Sequence, residues 1–559
     1  MTGVKPFSVL LAAIAAALAL LLAPDILQAP TLSPPWLARH LHADTGHLAA
    51  CRHSLSTPPD TPVSCPAQVD PINLGADWVD LATDVNLRNI SYHRLAGAIR
   101  IPTESYDDMS DDAEDPIFDA FYRLEEYLRA TFPRFHATMT FERVNVHALL
   151  FTWSGSDPSL KPMVLMAHQD VVPVDPSTVH LWTHPPYSAQ LDDEGWIWGR
   201  GTTDMKGTLV SILSATEKLL EERFQPHRTV LFSFGFDEEV GGARGAKPLS
   251  ELLYRRYGRD GVAFVFDEGF TGVDEDFGCT FARVGIAEKG CLTLELSVHT
   301  SGGHSSAPPT HTGIGIMSRL LVELENNPFL PAIDERNPLL TYLECAAQHG
   351  DMDDEMKAQV RQTQCWPLLA DTLNQDKAYM PFLRTTQAVD MVRGGIKFNA
   401  LPESVHAVIN YRIGFFESSQ SVINRVQSVL QPIIASFNLS LSVLDSEPFS
   451  NTNAVRLKTY GILIEPAPIS PTEGAAFGLM AGTIKHVFPG AIVVPSAMTA
   501  FTDTQYYWSL SRNIYRFVPA SLTHIKNYHT VDERLHLDAH LSVTRFYYKL
   551  LQNAQGLQD

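Results

Sequence analysis

The stretch KPMVLMAHQD (161–170) decides the fold. Lys161-Pro162 introduces an unbroken apolar run from Met163 to Ala167, which ends in His168-Gln169-Asp170. A continuous run, in contrast to an alternating one, is typical of a strand buried on both faces of a parallel sheet. Two more runs of this kind follow. TVLFSFG (229–235) leads into Asp237-Glu238-Glu239, and GVAFVF (261–266) leads into Asp267-Glu268-Gly269. Residues 203–224 carry Leu209, Ile212, Leu213, Leu219 and Leu220 at helical spacing, and residues 118–132 do the same with Phe121, Leu124, Tyr127 and Leu128. Strand–helix–strand alternation predicts an α/β fold around a mainly parallel sheet. Ligands of such sheets lie beyond the carboxyl ends of the strands.

Those ends carry chemistry. One imidazole and several carboxylates converge there, and GRGTTDMKG (199–207) adds Asp204 where a loop runs into a helix. Hydrolytic metal sites combine His nitrogen with Asp and Glu oxygen and leave room for water. A single Asp at a strand end is more often a helix cap, and a single His more often a packed side chain. Three successive buried strands ending this way point to a metal-assisted hydrolase. Neighbours at a strand end point in opposite directions, so Glu238 and Glu239 can divide the work of base and ligand; a solvated acidic turn is the plain alternative. Asp170, two residues after His168, is placed to orient that imidazole.

Composition bounds the rest. At roughly 150 residues per domain, 559 residues imply several units. With 45% hydrophobic and 19% charged residues, the chain excludes wholesale disorder and a coiled coil. A net charge of −21 excludes nucleic acid as a partner, because that role needs a basic stripe. The six cysteines include no C-x-x-C pair and are too sparse for a disulfide scaffold. Cys51/Cys65, Cys279/Cys291 and Cys345/Cys365 could each close a short loop, a choice the sequence leaves open.

FSVLLAAIAAALALLLA (7–23) is uncharged and follows Lys5. Its poor cleavage signal favours an uncleaved signal-anchor over a secretory peptide. That orientation makes a single-pass type II membrane protein with a lumenal body, or, in the alternative, a secreted one. Asn89-Ile-Ser91 and Asn438-Leu-Ser440 would then be open to glycosylation. Residues 24–84 read as stalk and lead-in.

The set MAHQDVVPVD (166–175), GRGTTDMKG (199–207), FDEEVGG (236–242), FDEG (266–269), SGGHSSAPP (301–309) and NYHTVDERL (527–535) resembles the aminoacylase/carboxypeptidase family of dinuclear zinc exopeptidases, and within it the vacuolar Gly-X carboxypeptidases. The resemblance implies two Zn2+ per chain. His168 and Asp267 would hold one, Asp204 would bridge, and Glu239 and His529 would hold the other. Glu238 would be the general base, Asp170 the orienter of His168, and His304 an oxyanion stabiliser. GGIKFNALP (394–402) and Asn410-Tyr-Arg412 resemble the part of the lid that binds substrate, through Asn399 and Arg412; an ordinary ion pair is the alternative for Arg412. The implied division is 1–23 tip and anchor, 24–84 lead-in, 85–289 catalytic domain, 290–450 inserted α/β lid, and 451–559 catalytic domain again. Residues 330–393 exceed a compact lid and have no assigned role. The implied activity is cleavage of the C-terminal bond of short peptides in a vacuole- or lysosome-like compartment, with a possible homodimer through the lid. Hydrolysis or synthesis of N-fatty-acyl amino acids is the alternative. A non-catalytic metal-bound binding protein is disfavoured by the intact set of residues.

Overall fold

The computed structural model describes Cys51 and residues 64–110, 112–444 and 452–558. The segment 7–23 and most of the stalk lie outside the described residues. Among the described residues no helix is long and apolar enough to cross a membrane.

The larger domain, the one the resemblance implies to be catalytic, is built on a nine-stranded sheet. Its centre consists of Val230–Gly235, Met163–His168, Phe264–Asp267 and Ile514–Arg516, side by side and parallel. The flanks differ from the mainly parallel sheet that the sequence predicts. Thr140–Val144 and Ala148–Trp153 form an antiparallel hairpin, which pairs antiparallel with Val230–Gly235. The three residues between those two strands are too few for a parallel crossover. On the other side Cys279–Glu288 runs antiparallel to Ile514–Arg516 and parallel to the edge strand Ile492–Met498. The sheet is therefore mixed, with a parallel core. The helices Lys206–Glu221 and Leu537–Asn553 cover one face, burying Leu209, Leu213, Phe546 and Tyr547. Ala246–Tyr257 covers the other through Leu249 and Leu253.

The lid is a second layer with its own core. Gly290–His299 alternates Leu292, Leu294, Leu296 and Val298 inward with polar residues between them, the period of a sheet covered on one face. Its neighbours are Ser404–Ile413 and Ala454–Ile464, with Thr386–Gly394 and Ser440–Val443 at the edges. The helices Gly313–Asn326 and Ser419–Ser436 pack on the apolar face. Because Val455 and Leu457 are buried in this core, the lid extends to Ile464 instead of ending at 450.

Residues 338–382 do not belong to the lid. The helices Pro338–His349, Asp354–Arg361 and Trp366–Leu373 pack against the edge of the catalytic sheet, on Phe281 and Val494. The disulfides join this insertion to the lead-in, Cys51 to Cys365 and Cys65 to Cys345, while Cys279 and Cys291 are free. None of the three sequence-local pairs forms, because the packing of the insertion brings together cysteines 314 and 280 residues apart. The end of the lead-in is likewise part of the body. Gln68 exchanges two hydrogen bonds of 2.9 Å with the backbone of Val493. Burial would raise the pKa of Asp77, but Arg545 and His486 outweigh it and pull it down to about 2.

Peptide mapping without reductant should recover the Cys51–Cys365 and Cys65–Cys345 linkages and two free thiols. Replacing Cys51 and Cys65 by Ser should lower stability by about 2–4 kcal/mol per bridge, read as a fall in Tm. Wild-type Tm in the double variant would show that the insertion holds without the bridges.

Candidate metal centre

The site forms where the parallel strands end. His168 closes its strand. Asp204 lies just before the helix Lys206–Glu221, joined to Met205 by a cis peptide bond. Glu238 and Glu239 open a short 3-10 turn after Val230–Gly235. That turn, not the alternation of a strand, separates the two glutamates. His529 comes from the loop between Ile525–Lys526 and Arg534–His536.

Two groups of donors share Asp204. His168 Nε2 lies 3.0 Å from Asp204 Oδ1 and 3.3 Å from Glu268 Oε1. His529 Nε2 lies 2.9 Å from Asp204 Oδ2 and 3.1 Å from Glu239 Oε2. Within each triad the donor atoms lie within 4.8 Å of one another. His168, Asp204, Glu239 and His529 thus come together as the sequence implies. Asp267 does not, and Glu268 stands in the place implied for it. Asp267 is the last residue of its strand and stays on the face of Val265, near Glu288 and Arg516. Glu268, one residue past the strand end, is free of that alternation and reaches His168.

Two buried carboxylates hold the loops that carry these donors. Asp170 lies beside His168 Nδ1, with 3.2 Å to its Oδ1. It also accepts the backbone N–H groups of Glu238 (3.2 Å) and Glu239 (3.1 Å) and the Ser105 hydroxyl (2.7 Å). Glu533 accepts from the Arg200 guanidinium (2.7 Å), the Thr203 hydroxyl (2.8 Å) and the Thr203 N–H (2.9 Å). It fixes the Asp204 loop against the segment that carries His529. Sequence reasoning missed Glu533 and Ser105. Glu533 lies inside the motif NYHTVDERL, but nothing local marks an acid there as internal.

The electrostatics fit a cation. Burial, and then the neighbouring Asp204, push Glu268 up to about 8 and Glu239 up to about 7. Burial and Glu268 raise Glu238 as well. Hydrogen bonds to Asp204 and Glu239 raise His529 to about 10, and the acids around His168 outweigh its burial and raise it too. The carboxylates are raised because their negative charge is crowded and desolvated, and the two histidines because that charge surrounds them. Divalent cations would neutralise the same charge, and mixed imidazole and carboxylate donors suit zinc.

A cavity of about 270 Å3 opens over the site, lined by Asp204, Glu238, Glu239, Glu268 and His529 on one side. Arg412 lines it as well, its guanidinium 5.4 Å from the centre of the Phe501 ring. His304 and Asn399 lie elsewhere on the lid, where Asn399 O accepts from Ser305 N and His304 Nδ1 accepts from the Ser306 backbone N–H at 3.1 Å. Neither lines the cavity.

Two triads that could each hold a metal ion share one aspartate at the end of a parallel sheet core, the donor set of a metal-dependent hydrolase. Residues 164–553 match the family described as peptidase family M20/M25/M40, and the chain belongs to that family. It is 38% identical over 493 residues to carboxypeptidase S of Saccharomyces cerevisiae, covering 84% of this chain and 85% of that one. It is 32% identical over 478 residues to the human N-fatty-acyl-amino acid synthase/hydrolase PM20D1, covering 83% of this chain and 88% of that one. The fold is similar to that of the M20 family metallo-carboxypeptidase Sso-CP2 from Sulfolobus solfataricus, with a TM-score of 0.59 at 18% identity, over 84% of this chain and 99% of that one.

Glu268→Ala should lose about one metal equivalent by elemental analysis, whereas Asp267→Asn should keep the full complement. The reverse result would return Asp267 to the ligand set. Because burial and the neighbouring Asp204 push Glu239 up to about 7 and Glu268 up to about 8, metal uptake at pH 7 should release protons, and affinity should rise between pH 6 and 8. Calorimetry in buffers of different ionisation enthalpy measures this; an observed heat independent of buffer would contradict it.

Proposed function

We propose that the chain is a zinc-dependent carboxypeptidase that hydrolyses the C-terminal peptide bond of short Gly-X peptides. The observation that carries this proposal is the cavity that Arg412 shares with both triads. Among its described lining residues Arg412 is the one arginine, and there is no lysine. Two Zn2+, one at His168, Asp204 and Glu268 and one at Asp204, Glu239 and His529, would supply an activated water and polarise the scissile carbonyl. Glu238 lines the cavity and belongs to neither triad. It takes the proton of the attacking water and returns it to the leaving amine. The planar guanidinium of Arg412 matches the free carboxylate of the substrate bidentately. Asp170 keeps the His168 ring and the Glu238-Glu239 turn in register while this happens.

An oxyanion role for His304 and a substrate role for Asn399 require the lid to close, or a second lid to contribute. The edge strand Thr386–Gly394 and the fully exposed Ile396 and Phe398 next to it support a homodimer through the lid. The two disulfides support an oxidising lumen, in keeping with a vacuole-like compartment. The second reading, turnover of N-fatty-acyl amino acids, is favoured by the similarity to PM20D1.

Purified zinc-loaded protein should cleave blocked Gly-Leu and leave its C-terminal amide intact. Faster release of free fatty acid from N-oleoyl-Leu would transfer the assignment to the second reading. Glu238→Gln should lower turnover by about 10²–10⁴-fold with both metal ions retained. Arg412→Ala should lower kcat/KM by about 10–100-fold, mainly through KM, consistent with a charged hydrogen bond of about 1.5–3 kcal/mol.

A further inference from the structure

The turn that carries Glu238 and Glu239 ends in two glycines in the left-handed region, Gly241 at φ +98° and Gly242 at φ +68°. Glycine takes such backbone at no steric cost, and the same freedom makes this the loosest joint beside the site. Asp170 holds the front of the turn through the N–H groups of the two glutamates. The back is closed by hydrogen bonds from Gly241 N–H to Glu238 O (2.7 Å) and from Gly242 N–H to Asp237 O (2.8 Å). The Tyr506 hydroxyl donates to Gly241 O at 2.7 Å. The open side of each glycine is covered differently. A side chain at Gly242 would run into Asp503, a residue of the larger domain. A Cβ at Gly241 would lie 2.5 Å from Ile462 Cδ1, and Ile462 belongs to the lid.

The lid presents Ile462 through an irregularity in its sheet. Ala454–Ile464 pairs with Gly290–His299, and between the pairs Leu463–Leu292 and Thr459–Leu294 the residues Tyr460, Gly461 and Ile462 stand opposite Thr293 alone. Such a bulge re-aims side chains that a regular strand would keep on the two faces of its sheet. Ile462 is 40% exposed and is not part of the lid core that buries Val455 and Leu457. The chain rejoins the larger domain directly afterwards, where Ala467 N–H donates to Glu288 O at 3.1 Å. The contact on Gly241 therefore lies beside the hinge.

We propose that Ile462 is a positioning residue for the hydrolytic reaction: seated on Gly241, it steadies the lid side of the Glu238-Glu239 turn. The inference rests on the assignment of Glu238 as base and Glu239 as a metal donor. It gives the lid a second task beside the carboxylate grip of Arg412, and the two tasks differ in what they change. Loss of Arg412 weakens the hold on the substrate. Loss of Ile462 lets the turn shift under a substrate that is still held, and an error of about 1 Å at a reacting group costs on the order of 10²-fold in rate.

Zinc-loaded Ile462→Ala should lose about tenfold in kcat on blocked Gly-Leu, with KM changed less than about twofold. Ile462→Leu, which restores the volume, should keep more than about half of the wild-type kcat. Gly241→Ala supplies the reciprocal test. Its left-handed backbone is strained in any background, but its clash with Ile462 Cδ1 is not. Adding Ile462→Ala to Gly241→Ala should therefore raise kcat by about threefold, the opposite sign to its effect in the wild type. Competition titration with a zinc chelator reads the turn without substrate, and one of the two zinc equivalents should bind about tenfold more weakly to Ile462→Ala. A rise in KM at unchanged kcat would overturn the proposal, as would wild-type kcat and zinc affinity in Ile462→Ala. A further loss of kcat on adding Ile462→Ala to Gly241→Ala would overturn it as well. Weakened zinc binding by Ile462→Ala, in a protein whose wild type does not cleave blocked Gly-Leu, would support the positioning role and count against the carboxypeptidase assignment.

Discussion

Everything at the centre of this molecule depends on one buried carboxylate. Asp170 has no exposed surface, yet three kinds of donor meet it: an imidazole, a hydroxyl and two successive backbone N–H groups. Burial alone would raise its pKa, and these donors reverse the effect, so the group stays charged. A charge kept at that depth must be fully satisfied. Satisfying it fixes the ring angle of His168 and the path of the Glu238-Glu239 turn together. Glu238 and one donor residue from each triad are therefore positioned by the same carboxylate.

Glu533 plays the same part for the other half of the site. It is fully buried, and it ties the Thr203–Asp204 loop to a segment more than three hundred residues further on. The two triads meet at Asp204, so an error in either support is felt in both. Preorganisation of this kind puts the geometry into the fold, leaving little reorganisation for the moment of reaction.

What the sequence disclosed followed from how local the signal was. The buried strands were legible because an unbroken apolar run of five or six residues between polar ends suits a strand covered on both faces and little else. His168, Asp204, Glu239 and His529 were legible because each lies inside a distinctive motif. That Glu268, and not Asp267, lies beside His168 was not legible. Alternation assigns faces only within a strand, and the decisive residue stands one position beyond it. The flanking antiparallel strands, the lid's last strand after residue 450 and the disulfide pairing were also hidden. Each depends on contacts between segments far apart in the chain, about which hydrophobic period says nothing. Glu533 shows the same limit: an acid among polar neighbours reads as surface until its partners are known.

The disulfide from Cys51 to Cys365 also governs what proteolysis of the lead-in can accomplish. A cut between residues 52 and 64 breaks the backbone but leaves the N-terminal fragment attached to the body through sulfur. Only a cut before Cys51, or reduction of that bridge, separates the two. Proteolysis under oxidising conditions can therefore nick this region and still yield a particle that migrates as one chain until a reductant is added.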